Sequence, residues 1–141
     1  MDVMLLAHVG ATWFMVGLIW FVQIVHYPLM GKVGPDYFVA YERSHTILTT
    51  FVVGPQMMVE LATAVLLIFS MKSMQSFWWI NLALLIIVWA STFFIQVPLH
   101  NALSDGFDAG QHAKLVQSNW IRTISWTVRA VLLIWIATKI K

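Results

Sequence analysis

The chain has 141 residues, of which 60% are hydrophobic and 10% charged, with a formal net charge of +2. A water-soluble domain carries roughly a quarter charged residues, so lipid rather than water is the expected solvent for most of this surface. The absence of cysteine excludes disulfide and thiolate chemistry and leaves His and carboxylates as metal ligands, and the few scattered charges argue against nucleic acid as a partner.

A membrane-spanning helix needs about 20 apolar residues, and four such runs occupy nearly the whole sequence. The first runs from about Val3 to Val25. Its acidic start at Met1-Asp2 and its length argue against a cleavable signal peptide, and it is expected to end at His26-Tyr27-Pro28, ahead of Gly31 and Gly34. Pro35-Asp36 reads as a helix start, continuing through Tyr37, Phe38, Tyr41 and His45 into a second span from Ile47 to Phe69, with a kink expected at Gly54-Pro55. After a polar turn from Met71 to Ser76, the third span covers Phe77 to Val97, with Trp78 and Trp79 at the lipid interface and Pro98 and His100 closing it. Asp105-Gly106 marks a turn, Asp108 and Gln111 cap a short surface helix through Gln117, and the fourth span is Trp120 to about Thr138. The pattern predicts an all-α integral membrane four-helix bundle, one domain over residues 1–141, with short surface helices in the two longer connections and no internal repeat.

Four crossings put the termini and the Met71 to Ser76 turn on one side and both longer connections on the other. His26, His45, His100 and His112 then share the long-loop side, and His8 lies elsewhere. Cations stand on both sides: Lys72, Lys139 and Lys141 against Lys32, Arg43, Lys114 and Arg122. The long-loop cations have acidic neighbours and Arg122 reads as functional, so the multi-pass chain is expected to keep its termini in the cytoplasm.

Polar residues within the spans repeat at helical spacing, which puts them on faces turned into the bundle. The stripes are Thr12, Gln23 and His26; Tyr41, His45, Thr49, Gln56 and Glu60; Trp89, Thr92, Gln96 and His100; and Asn119, Arg122, Trp126 and Arg129. Such groups serve either as hydrogen-bond glue between helices, worth about 0.6 to 2 kcal/mol each, or as a site. Glu60 and Arg129 fall mid-span, where a lone charge costs at least ~2.5 to 3.5 kcal/mol, so they are expected to pair, with Gln56 as a further partner of Glu60. The pair either fixes helix register or gives Glu60 a catalytic proton-relay role. His26, His45 and His100 begin or end three helices at similar depth. They could bind a transition metal (zinc, copper or iron), ligate haem in pairs, act as acid–base groups without a cofactor, or simply lie at the interface. His112 reads as solvated rather than as a cap on the chamber. Tyr27, Tyr37, Phe38, Tyr41 and Trp120 read as an aromatic belt or as the walls of a pocket for a flat lipophilic ligand.

The order Tyr27-Pro28-Leu29, Phe38-x-x-Tyr41, Gly54-Pro55, Glu60, Ser91-Thr92, Val97-Pro98-Leu99 and Asn119-Trp120-x-Arg122-Thr123 resembles the small four-helix membrane proteins related to anthrone oxygenases. That family more often has Asn after the mid-chain Pro motif; here His100 stands there. The resemblance implies a four-helix bundle and, for some members, oxygenation of polycyclic aromatic substrates without a recognised cofactor. It points to Asn119, Trp120 and Arg122 as pocket residues and to Pro98 as structural.

The leading expectation is a membrane oxidoreductase or oxygenase acting on a lipophilic aromatic or quinone-like molecule. His26, His45 and His100 would be its cofactor-binding or acid–base groups, Asn119 and Arg122 would hold a substrate oxygen, and Glu60 with Arg129 would support the pocket floor. The alternatives are a non-catalytic metal- or haem-binding carrier, sensor or electron-transfer subunit, and a small transporter or assembly factor. The expected partners are the lipid bilayer and a lipophilic small molecule, and the apolar outer faces are compatible with a homo-oligomer.

Overall fold

A computed structural model describes residues 3–139, so the charges read at Met1-Asp2 and Lys141 lie outside the described residues. The described chain is all-helical, with four long helices and no strand. They are α1 (Val3–Met30), α2 (Pro35–Ser70), α3 (Gln75–Leu103) and α4 (Ala109–Lys139), each long and apolar enough to cross a membrane. Each helix packs on two neighbours, so that α1 faces α3 across the bundle axis and α2 faces α4. Large apolar side chains cover the outside, Phe94 at 80%, Phe51 at 74% and Phe69 at 72% exposure among them, a surface that suits lipid and not water.

The connections are shorter than expected, and the helices correspondingly longer. No separate surface helices form: the stretch from Pro35 is the start of α2, and the stretch capped by Asp108 is the start of α4. The Asp108 carboxylate accepts the Gln111 N–H at 2.7 Å, as a capping residue does. Helix α2 runs unbroken through Pro55.

Pro28 and Pro98 do not end their helices either. Each is preceded by one wide turn of π-helix, Val22–His26 in α1 and Thr92–Gln96 in α3, in which Tyr27 N–H reaches Val22 O and Val97 N–H reaches Thr92 O. A proline lacks an N–H and crowds the carbonyl four residues back, and the extra residue in the widened turn relieves that crowding without breaking the helix. The same turn brings two successive side chains, His26 and Tyr27, into contact with the bundle interior. The two halves of the chain thus share one plan, a π-interrupted helix followed by a long continuous one. The two x-Pro-Leu motifs, Tyr27-Pro28-Leu29 and Val97-Pro98-Leu99, are the sequence trace of that repeat.

The interior alternates apolar and polar layers. Leu5, Leu67, Ile68, Trp78, Leu133 and Ile136 close the end near the termini. Trp78 is therefore a core residue at 1% exposure, packed edge-on to His8, while Trp79 alone of the pair faces outward at 53%. Above this layer, Glu60 lies ten residues before Ser70 and Arg129 ten before Lys139. Arg129 Nη1 is 2.5 Å from Glu60 Oε1, and the carboxylate also accepts Thr12 Oγ1–H at 2.9 Å and Trp126 Nε1–H at 3.0 Å. Gln56, half-buried, is not among these partners. Arg129 Nη2 reaches Asn81 Oδ1 at 3.4 Å, and His8 bridges Asn81 (3.2 Å) to Thr63 (2.8 Å). All four helices are pinned at this one level. Met15, Val16, Ile19, Met57, Val88 and Ala130 then form an apolar plug with the Trp126 ring. The histidine-bearing layer lies beyond it and is closed at the long-loop end by Tyr27, Met30, Phe38, Leu103 and Leu115.

His112 is half-buried rather than solvated, and its Nε2 donates to the Tyr27 carbonyl at 2.7 Å. A Cβ at Gly31 would stand 2.7 Å from His112 Cε1, so any side chain there requires the ring to shift. Gly31→Ala is expected to push His112 off the Tyr27 carbonyl at a cost of about 1 kcal/mol, read as a lower unfolding midpoint. An unchanged midpoint with His112 still in place would refute this account of the turn.

Candidate functional site

The histidine-bearing layer holds two connected devices. The first begins at Glu42, a fully buried carboxylate on α2. Glu42 Oε1 is 2.5 Å from His100 Nδ1 on α3, and His100 Nε2 is 3.0 Å from the Tyr27 hydroxyl on α1. The Tyr27 oxygen in turn accepts Arg122 Nη2–H from α4 at 3.2 Å. Arg122 donates twice to Asn119 Oδ1, at 2.9 and 2.6 Å, and Asn119 Nδ2 donates to Gln23 Oε1 at 2.8 Å. Gln96 completes the shell: its Oε1 lies 3.4 Å from both the Tyr27 hydroxyl and Arg122 Nη2, and its Nε2 donates to Ser118 Oγ at 2.8 Å. Carboxylate, imidazole, phenol and guanidinium therefore form one chain crossing all four helices.

With a proton on His100 Nδ1, shared with the carboxylate, Nε2 carries a lone pair that accepts the Tyr27 O–H. Moving that proton onto Nε2 leaves an imidazolium against Glu42 and a phenolate against Arg122. Both charges created by the transfer already face an opposite charge, so no partner has to be reorganised. Glu42 Oε2 is buried without a hydrogen-bond partner and stays available to a further donor.

The second device is half-exposed on the seam between α1 and α2. His26 Nε2 and His45 Nδ1 lie 2.9 Å apart, with ring centroids at 4.4 Å; Thr49 Oγ1 is 3.1 Å from His45 Nδ1 and the Tyr41 hydroxyl 3.4 Å from His26 Nε2. The facing nitrogens share one proton. A proton arriving on the outer nitrogen of one ring releases another from the outer nitrogen of its partner, so the pair can pass protons without either ring moving. The centroids of His45 and His100 are 5.2 Å apart, which joins the pair to the buried chain.

The three candidate histidines come together: His26 is hydrogen-bonded to His45, and the His45 ring packs against that of His100. Both nitrogens of His100 are engaged, and the facing nitrogens of His26 and His45 bond each other. Among the described residues no group of three His or carboxylate side chains is set to hold a metal ion. Nor does the direct His26–His45 bond leave space for a haem iron between them.

Asn119 and Arg122, read as holding a substrate oxygen, hydrogen-bond to each other, and beyond that Asn119 bonds Gln23 and Arg122 bonds Gln96 and Tyr27. Glu60 and Arg129 form their own level beyond the apolar plug, with His8 and separate from His26, His45 and His100. Trp120 packs edge-on against Trp20 and is 38% exposed, while Tyr27 and Phe38, read with it as an aromatic belt, are interior residues.

Three participants escaped sequence reasoning: Glu42, Tyr27 as an acid–base group, and the His8–Asn81 pair. For Glu42 a signal existed, since Phe38, Glu42 and His45 recur at i, i+4 and i+7 on one helical face. No family model matches the chain, and neither the curated proteins nor the solved structures include a significant match to it.

Proposed function

We propose that this is a membrane-embedded oxidoreductase or oxygenase whose protein-borne chemistry is proton transfer, acting on a lipophilic phenol- or quinol-like aromatic at the long-loop edge of the bilayer. The observation that carries the reading is the unbroken Glu42–His100–Tyr27–Arg122 chain set behind a half-exposed histidine pair. Depth supports the location. The 36 residues of α2 extend roughly 54 Å at 1.5 Å per residue, well beyond an apolar core of about 30 Å. Glu60 and Arg129, ten residues from the ends of α2 and α4, then sit about 15 Å in, near the mid-plane, and the histidines at the far boundary. The termini take the cytoplasmic side in this reading.

A substrate hydroxyl gives its proton to the His26–His45 pair, which delivers it to water, while the relay behind supplies a second acid–base group. The electron-rich anion passes two electrons to dioxygen, the co-substrate, which takes up the anion's remaining hydroxyl proton and one proton returned from water through the histidine pair: a quinol becomes a quinone and dioxygen becomes hydrogen peroxide. The resemblance to the anthrone oxygenase-related proteins favours this class. The apolar plug between the two polar levels weighs against a transport path through the bundle.

Dioxygen uptake by the protein in phospholipid vesicles, supplied with a short-chain benzoquinol or with anthrone, tests the reading. Wild type is expected to exceed protein-free vesicles. His26→Ala is expected to slow uptake about tenfold, with recovery on adding free imidazole, because a broken proton shuttle can be bypassed by a diffusing base. Wild-type uptake at the protein-free level with both substrates would contradict the proposal, and a Soret band in the isolated protein would replace it with a haem reading.

A further inference from the structure

On the flank opposite the His26–His45 seam, a surface groove of about 570 Å³ runs between α3 and α4. Its α3 wall is apolar, formed by Phe94, Pro98 and Leu99. Its α4 wall changes character along its length: Lys114 and Gln117 stand nearest the start of the helix, Ser118 follows, and Ile121 lies deepest. These positions fall at i, i+3, i+4 and i+7, one continuous face. Lys114 is exposed and forms no ion pair among the described residues.

A slot with an unpaired cation at the bilayer boundary and an apolar lining below it complements an amphiphile with an anionic head and a hydrocarbon tail. The volume lies within the roughly 300–1,000 Å³ of ordinary ligand sites. Basic side chains between helices at this depth recognise anionic head groups. We propose that the groove is a specific site for an anionic phospholipid, with the phosphate on Lys114 and Gln117 and an acyl chain along Phe94, Leu99 and Ile121. This rests on the bilayer placement above, and not on the proposed reaction.

The groove also touches the candidate site. Ser118, in its wall, holds Gln96 at 2.8 Å, and Gln96 meets Tyr27 and Arg122 at 3.4 Å each. A lipid seated there packs directly against the residue that positions the relay.

The test is co-purifying lipid, measured by native mass spectrometry after reconstitution in vesicles of equal phosphatidylglycerol and phosphatidylcholine, with flotation used first to show that the protein enters them. Wild type is expected to retain phosphatidylglycerol over phosphatidylcholine about fivefold, the effect of one cation at a membrane surface. Lys114→Gln should erase the preference, Ile121→Trp should evict the lipid by filling the groove, and Lys72→Gln, at the opposite end, should leave the preference intact. Preference retained in Lys114→Gln, lipid retained in Ile121→Trp, or an equal loss in Lys72→Gln would each overturn the proposal. Failure to float would overturn the bilayer placement itself.

Discussion

Arg129→Met is expected to lower stability by about 3–5 kcal/mol, because it leaves the Glu60 carboxylate buried without its counter-charge. Thr12 and Trp126 still donate to Glu60, but two neutral hydrogen bonds do not replace a guanidinium at 0% exposure. The double variant Glu60→Met with Arg129→Met removes both charges and is expected to be more stable than Arg129→Met alone, since a buried pair replaced by apolar groups of similar size is often neutral. The comparison belongs in a denaturant titration in mixed micelles. A double variant no more stable than the Arg129 single variant would show that the pair's charges are not what the other two helices are organised around. On the functional side, both variants should retain the geometry of the Glu42–His100–Tyr27 chain, because the apolar plug separates the two levels.

Glu42→Gln is expected to reduce turnover about 10²–10⁴-fold while leaving substrate affinity and the unfolding midpoint little changed, a loss typical of removing one acid–base partner. Glu42 and Gln have nearly the same shape, so packing is kept. What changes is the proton order. An amide no longer compensates an imidazolium at His100, and if its NH₂ donates to Nδ1, the ring proton moves to Nε2, where it blocks acceptance from Tyr27. The prediction is measured as kcat and KM for quinol or anthrone oxidation. Turnover at the wild-type level would remove Glu42 from the relay and reduce the chain to structural glue.

Much of the architecture was legible in the sequence, because four apolar runs leave few alternatives for a chain with so little charge. Helix ends were not, and Pro28 and Pro98 show why. A proline ordinarily ends a helix, but a π-turn placed just before it absorbs the clash, and no residue type signals that turn in advance. The site was half legible. Helix-end placement brought His26, His45 and His100 to one level, yet which ring nitrogen faces which partner depends on rotation of four helices about their axes, and a one-dimensional pattern does not carry that. Glu42 sits in the run Tyr41-Glu42-Arg43-Ser44, where it reads as no more than an acidic neighbour of Arg43. Only the packing of α2 beyond the apolar span turns Glu42 inward to 0% exposure. His8 continues the Thr12 stripe by one turn, and only its meeting with Asn81 across the bundle makes the two a pair.

The most direct measurement is the ¹⁵N spectrum of His100 in the bilayer-reconstituted protein near neutral pH, assigned by its loss in His100→Gln. The account predicts a neutral ring protonated at Nδ1, donating to Glu42, with Nε2 bare and hydrogen-bonded to Tyr27. A ring protonated at Nε2, alone or together with Nδ1, would contradict it, because such a histidine has no site on which to receive the tyrosine proton.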